Sequence, residues 1–246
     1  MIFHNNTGWI ALFFFALHAP GFAQKNPVGI PADSRQALLV TSKSWDSSAG
    51  ELIRMEKLPS GKWKPVGEPI PVMIGRNGMA WGRGLHKNPN GILAKKEGDG
   101  KAPAGVFTLG TAFGYAPLAP PNCQLPWRQT TQQDFFVDDK NSPDYNKWVR
   151  LAGGVSEAEK RWASFEKMRL ENHLYELGIV VNHNMNPVVP GAGSAIFLHI
   201  WRTPETPTAG CTAMARENLL LLLNWLKADT KPVLIQAPEG ALKIRY

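Results

Sequence analysis

Short apolar runs broken by glycine-bearing turns set the pattern of this chain. QALLVTS, Gln36–Ser42, reads as a first strand, and Glu51–Met55 and Lys62–Val66 follow as a pair joined through Ser60-Gly61, a hairpin signal. Pro69–Ile74 leads through the turn Gly75-Arg76-Asn77-Gly78 into Met79–Gly82, and further strands are expected at Gly105–Leu109, Leu174–Val181 and Pro232–Gln236. In Leu174–Val181, Gly178 marks a candidate bulge. Ile196, Leu198 and Ile200 alternate with Phe197, His199 and Trp201, so both faces are apolar and the segment reads as a buried strand.

Two stretches switch to helical spacing. Ser156 with Glu159 forms a capping-box pattern, and Trp162, Phe165 and Met168 recur every third residue, which predicts a helix over Glu157–Arg169. Leu219, Leu222, Leu223 and Leu226 share one face, widened by Leu220, Leu221 and Trp225, and predict a core helix beginning near Arg216. Its leucine run is too short to span a membrane. Many short strands with two helices argue a mainly β, α+β fold: a sandwich or barrel body with a helical and loop insertion at about 113–173.

The insertion opens on Pro117, Pro120, Pro121 and Pro126 and continues through the aromatic-bearing DFFVDDKNSPDYNKW. Asp138 and Asp139 are adjacent, point different ways and have no third carboxylate at ligand spacing, so they read as loop-bracing or solvated groups. The Lys- and Gly-rich stretch from Asn88 to Ala102 reads as a mobile connection. The glycines at 75, 78, 82 and 84 lack the Gly-Lys-Ser/Thr ending of a phosphate loop.

The N-terminus differs from the rest. WIALFFFAL, Trp9–Leu17, followed by Gly21 and Ala23 predicts a signal peptide over 1–23 and a linker over 24–35, ahead of one domain at 36–236 and a tail at 237–246. Only His4 stands where a basic residue usually lies, so an uncleaved anchor or a chain that is not exported is the alternative. Removal of 1–23 leaves the net charge at +7, and a basic exported chain suits an anionic partner. The basic residues are scattered among prolines and acids rather than gathered into a stripe, which argues against nucleic acid. Oligomeric state has no signal here.

The candidate chemistry lies in GSAIFLHIWRTPETPTAGCTAM, Gly193–Met214. A thiol attacks as its thiolate, and an imidazole that accepts its proton makes that form accessible, which pairs Cys211 with His199. The helix expected from Arg216 places Cys211 a few residues ahead of unpaired N–H groups that favour negative charge. Gly210 lets the backbone approach a reacting carbonyl, so the N–H groups of Gly210 and Cys211 are candidate oxyanion donors. Arg202 is a candidate for a substrate carboxylate, Trp201 for a cleft wall, and His183 and Asn184 for the cleft lining. The alternatives are a core histidine beside a buried cysteine, a Cys123–Cys211 disulfide, and a zinc site of His199, Cys211 and His183. Cys123 sits in a Pro-rich loop without a partner motif, which favours two free thiols, and no zinc-type spacing is present.

H-x-W-R at His199 followed by T-x-G-C at Cys211, GKAPAGVFTLG at Gly100–Gly110, and NHNMNPVVPGAGSAIFLH running into His199 together resemble the L,D-transpeptidase (YkuD-like) catalytic domain family of bacterial peptidoglycan enzymes. The resemblance runs from about Gln36 to Gln236. It implies Cys211 as nucleophile, His199 as its base and Thr208 and Gly210 as members of the same motif. It also implies an insertion that flanks the cleft, peptidoglycan stem peptides as donor and acceptor, no cofactor and no metal. Where the commonest family motif has His before Gly-Cys and Asn or Arg two residues after the Cys, this chain has Ala209 and Ala213.

Overall fold

The computed structural model describes residues 30–87 and 93–242. The expected signal peptide, most of the linker and the last four residues of the tail lie outside the described residues.

The strands are β1 (Gln36–Ser42), β2 (Ala49–Lys57), β3 (Trp63–Met73), β4 (Met79–Trp81), β5 (Ala102–Gly114), β6 (Trp127–Gln129), β7 (Asp134–Val137), β8 (Trp148–Arg150), β9 (Phe165–Lys167), β10 (Leu177–Val181), β11 (Phe197–Ile200), β12 (Thr212–Met214) and β13 (Val233–Pro238). Two α-helices, α1 (Gly154–Arg161) and α2 (Arg216–Trp225), and a short 3-10 helix at Ala228–Thr230 complete the regular structure among the described residues. The main sheet runs β10-β11-β12-β3-β2-β1-β13-β5-β4, and β10 also pairs with β5, so the strands between them close on themselves. Closure pairs strand edges that would otherwise be open to aggregation. The fold is therefore mainly β with a mixed sheet.

Strand alternation sorts β1 as the sequence requires. Leu38 and Val40 enter the main core with the α2 leucines 219, 222 and 223 and Leu226 just past the helix, while Ala37 and Leu39 face a second cluster with Val233, Ile235 and Trp63. Each buried Leu contributes about 1.5–3 kcal/mol, which is what holds α2 to the sheet. The segments expected as two strands at Lys62–Val66 and Pro69–Ile74 form one long strand instead. Gly67, at φ +69, takes up a register irregularity against β2 without ending the pairing.

Two other expectations are corrected. Gly178 is not the bulge: a Cβ there would stand 2.2 Å from the Phe113 ring, so the glycine is required for close approach, and the register slip falls between Ile179 and Val181. The described part of the Lys/Gly stretch is a tied loop. The Asp99 carboxylate accepts from Lys95 Nζ at 2.6 Å and from the N–H groups of Lys96 and Lys101 at 2.8 and 2.9 Å.

The helix expected over Glu157–Arg169 stops at Arg161. Trp162 is already extended, and Phe165–Lys167 pairs with β7. Trp162 and Phe165 reach one aromatic cluster from a helix end and a strand, which a spacing of three does not distinguish from one helical stripe. The capping also differs: the Glu157 carboxylate accepts the Gly153 N–H at 2.9 Å, and Ser156 bonds back to the Gly153 carbonyl at 3.1 Å.

The insertion forms its own three-stranded sheet, β8-β7-β9, under α1. Asp134 is its buried knot, accepting from Arg128, Arg150, Trp148 and Thr131. Burial would raise its carboxyl, but the bonds from Arg150, Thr131 and Trp148 outweigh burial and hold it at about 2. On β7, Phe135 turns into the insertion while Phe136 packs edge-on against Phe197 of β11 at 5.2 Å between ring centroids. One strand thus fixes the insertion against the segment that carries His199.

Candidate active site

Parallel pairing of β11 with β12 places Leu198 beside Thr212 and His199 beside Ala213. The next step back along that register sets Cys211 beside Phe197, whose N–H donates to the Cys211 Sγ at 3.3 Å. Phe197 and His199 project to the same face. The Tyr175 ring meets both edge-on, at 5.6 Å from Phe197 and 5.3 Å from His199. His199 and Cys211 line one cavity of about 330 Å³.

Both side chains are nearly buried, at 7% and 8% exposure. His199 Nδ1 lies 2.8 Å from the Ile200 carbonyl oxygen. A carbonyl only accepts, so Nδ1 carries the proton and Nε2 is left with its lone pair. Burial pushes the His199 imidazole down to about 4, against the partial support of that bond to Ile200. Burial likewise pushes the Cys211 thiol up to about 12, which the Phe197 N–H opposes only in part. The thiol proton is directed at the Ala195 carbonyl, 3.5 Å away.

Helix α2 begins at Arg216 as expected, with strand β12 and Ala215 between Cys211 and its first turn. Apolar-run length hid this: TAM is too short to be read as a strand, yet it pairs with both β11 and β3. The resting site therefore holds a neutral thiol and a neutral imidazole.

The remaining sequence candidates divide. Thr208, Gly210 and Arg202 line the same cavity as His199 and Cys211. The Thr208 hydroxyl donates to the Cys211 carbonyl at 2.7 Å and accepts the Gly210 N–H at 3.1 Å, so Thr208 braces the turn that presents the thiol. That bond occupies the Gly210 N–H and leaves the Cys211 N–H as the donor of the pair to consider. Arg202 stands exposed at the rim, with Arg76 also lining the cavity. Trp201 is outside the lining, and its own N–H and carbonyl are spent on Met214 and His173.

His183 and Asn184 also lie outside that lining. His183 Nδ1 accepts the Arg83 N–H at 3.2 Å, so Nε2 carries the proton and donates to the Ala192 carbonyl at 3.0 Å. With both nitrogens used on backbone, His183 has none left for zinc. Burial pushes its imidazole down to about 3. Asn184 spends its amide on Val189 and Gly193. Both residues shape the segment that leads into Ala195.

Cys123 and Cys211 are both free thiols, as expected, so no disulfide occupies the candidate nucleophile. Among the described residues no group of three or more His, Cys, Asp or Glu is arranged to hold a metal ion, and no helix is long and apolar enough to cross a membrane.

A family profile of the L,D-transpeptidase catalytic domain (YkuD) matches residues 58–235, well over half of the chain. The chain belongs to the L,D-transpeptidase catalytic domain family. This L,D-transpeptidase-family chain has no match among curated proteins. Membership covers the strands from β3 onward, both walls of the cavity and the insertion. Its members act on peptidoglycan, which places the chain with cell-wall enzymes.

Sequence reasoning missed the insertion's contribution to this cavity at the level of residues. Asp138 and Glu166 reach the lining from the insertion, and Glu97 from the tied loop. Burial raises both the Asp138 and Glu166 carboxyls above their ordinary range. It also missed Asn146 and Ala195, both at left-handed φ, 61° and 53°. Asn146 was legible only as a residue type that tolerates that conformation.

Proposed function

We propose that this L,D-transpeptidase-family chain is a cysteine acyltransferase that acts on peptidoglycan stem peptides through a Cys211 thioester, with His199 as the proton carrier. One observation carries the reading: His199, whose Nδ1–H is tied to Ile200 so that Nε2 keeps its lone pair, and Cys211 line the same cavity.

As the sulfur attacks the carbonyl carbon of the donor stem, Nε2 takes the thiol proton. The tetrahedral oxyanion falls to the Cys211 N–H, a contribution of about 2.7–4 kcal/mol for one well-placed donor. Collapse breaks the C–N bond, and the imidazolium gives its proton to the leaving amine, leaving the thioester. An acceptor amine then attacks, His199 takes its proton, and the second collapse returns the sulfur, which recovers a proton from the imidazolium. Water in place of the amine gives carboxypeptidase cleavage by the same path. Because both groups are neutral at rest, proton transfer accompanies sulfur attack rather than preceding it.

Arg202 at the rim matches a substrate carboxylate, and the Pro-stiffened loop from Arg202 to Thr208 forms one side of the entrance. Export to the periplasm follows from the leader pattern in residues 1–23 together with the peptidoglycan substrate. The test is mass spectrometry of purified muropeptides incubated with the protein. Wild type yields a crosslinked or trimmed species and an acyl adduct on Cys211, and Cys211→Ala yields neither. Product formed equally well by Cys211→Ala ends the proposal.

A further inference from the structure

A second cavity, of about 650 Å³, shares no lining residue with the first. Arg83, His86, Thr108, Asn182, Asn184 and Asn186 supply its polar lining, Leu85 and Met185 its apolar part, and no carboxylate lines it among the described residues. Arg83 is the anomaly. Its Nε is buried without a hydrogen-bond partner, and the guanidinium forms no ion pair among the described residues. Leaving a buried charged donor unpaired costs more than an ordinary lost hydrogen bond. The backbone of Arg83 is fixed on both sides: its N–H donates to His183 Nδ1 at 3.2 Å, and its carbonyl accepts the Asn184 N–H at 2.8 Å. The main chain that carries the fork is therefore held in place, and Nε lies buried beside it.

The Asn182 amide donates to Thr108 Oγ1 at 2.9 Å, while the exposed Asn186 makes no side-chain hydrogen bond among the described residues. A planar anion matches a guanidinium fork, and a free carboxamide matches an amide. We infer that this cavity is a binding site for a carboxylate that lies close to an N-acyl group, with Arg83 on the carboxylate and Asn186 on the amide. A peptide C-terminus and an N-acetylated sugar acid share that chemistry. The site stands apart from the Cys211 chemistry and does not depend on it.

The test uses the full chain carrying Cys211→Ala, so that no turnover intervenes, titrated by isothermal calorimetry and amide NMR. The probes are N-acetyl-D-alanine, N-acetylmuramic acid and the uncharged N-acetylglucosamine. Expected is saturable binding of at least one carboxylate probe, weakened about tenfold by Arg83→Gln and less by Arg83→Lys, with amide shifts centred on Asn182 and Asn186. The tighter of the two carboxylate probes assigns the source as peptide or sugar. Asn186→Ala, an exposed position outside the core, lowers affinity without moving the unfolding midpoint. Equal affinity in Arg83→Gln and its parent, no saturation by either carboxylate, or shifts confined to the Cys211 cavity overturns the inference.

Discussion

The Cys211 thiol donates to the carbonyl oxygen of Ala195 across 3.5 Å. Ala195 holds that carbonyl in place from a left-handed backbone, φ 53°, which an alanine adopts at a cost of order 1 kcal/mol. The surroundings enforce it. The Ala195 N–H donates to Asn146 Oδ1 at 3.2 Å, and the Asn146 amide donates to the carbonyls of His183 and Asn184 at 3.0 and 2.8 Å. Next to it, Ser194 Oγ and the Tyr145 hydroxyl both donate to Glu97. Two residues of the insertion therefore set the partner of the thiol proton.

Asn146 is accordingly a positioning residue. Asn146→Gly keeps the left-handed conformation and removes the amide, with an expected loss of about 2–3 kcal/mol of stability from the unpaired backbone groups. The discriminating readout is the alkylation rate of Cys211 well below the unfolding temperature. It changes several-fold in Asn146→Gly and stays level in an equally destabilised core variant such as Leu222→Ala. Equal rates in the two variants reduce Asn146 to a structural part.

The buried pair is neutral at rest. With the thiol pushed up to about 12 and the imidazole down to about 4, ultraviolet difference spectra of wild type against Cys211→Ser show no thiolate band near neutral pH, and the band grows only far into alkali. A thiolate signal titrating between pH 5 and 8 contradicts this account and favours a preformed ion pair.

Acid weakens the fold through its histidines. His183 and His199 are depressed to about 3 and about 4 from an ordinary 6.5, so below pH 6.5 the unfolded chain binds protons that the folded chain refuses. Their contribution is complete above 6.5 and declines as pH falls towards 4, by about 1.4 kcal/mol per pH unit for each histidine. Urea midpoints measured from pH 7.5 to 4.5 drop accordingly, and His183→Gln flattens part of the slope. A flat profile in wild type refutes the burial argument.

Much of the fold was legible because its strands obey the simplest periodicity. Gln36–Ser42 was read to the residue, since its two apolar faces leave no other register, and the α2 leucines announced a core helix. The family emerged from His199, Cys211 and the strands leading to them, because a motif is local in sequence. Failures came where local pattern and long-range pairing compete. The stretch Trp162–Met168 keeps helical spacing but gains more from hydrogen bonds to β7, and Thr212–Met214 carries too few residues to signal the strand that separates Cys211 from α2.

By itself the chain's order of residues determined the mainly β body and the core helix, and it singled out one imidazole and one thiol as candidates, since each rests on residue type and spacing. Only the tertiary structure decided that Thr208 braces the turn, that His183 and Asn184 serve the backbone, that Asp138 and Glu166 are the insertion residues that reach the cavity, and that Arg83 has no counter-ion among the described residues. Those facts depend on which atoms exclude water from one another. Burial and hydrogen-bond partners come from contacts between distant segments, which no local pattern encodes.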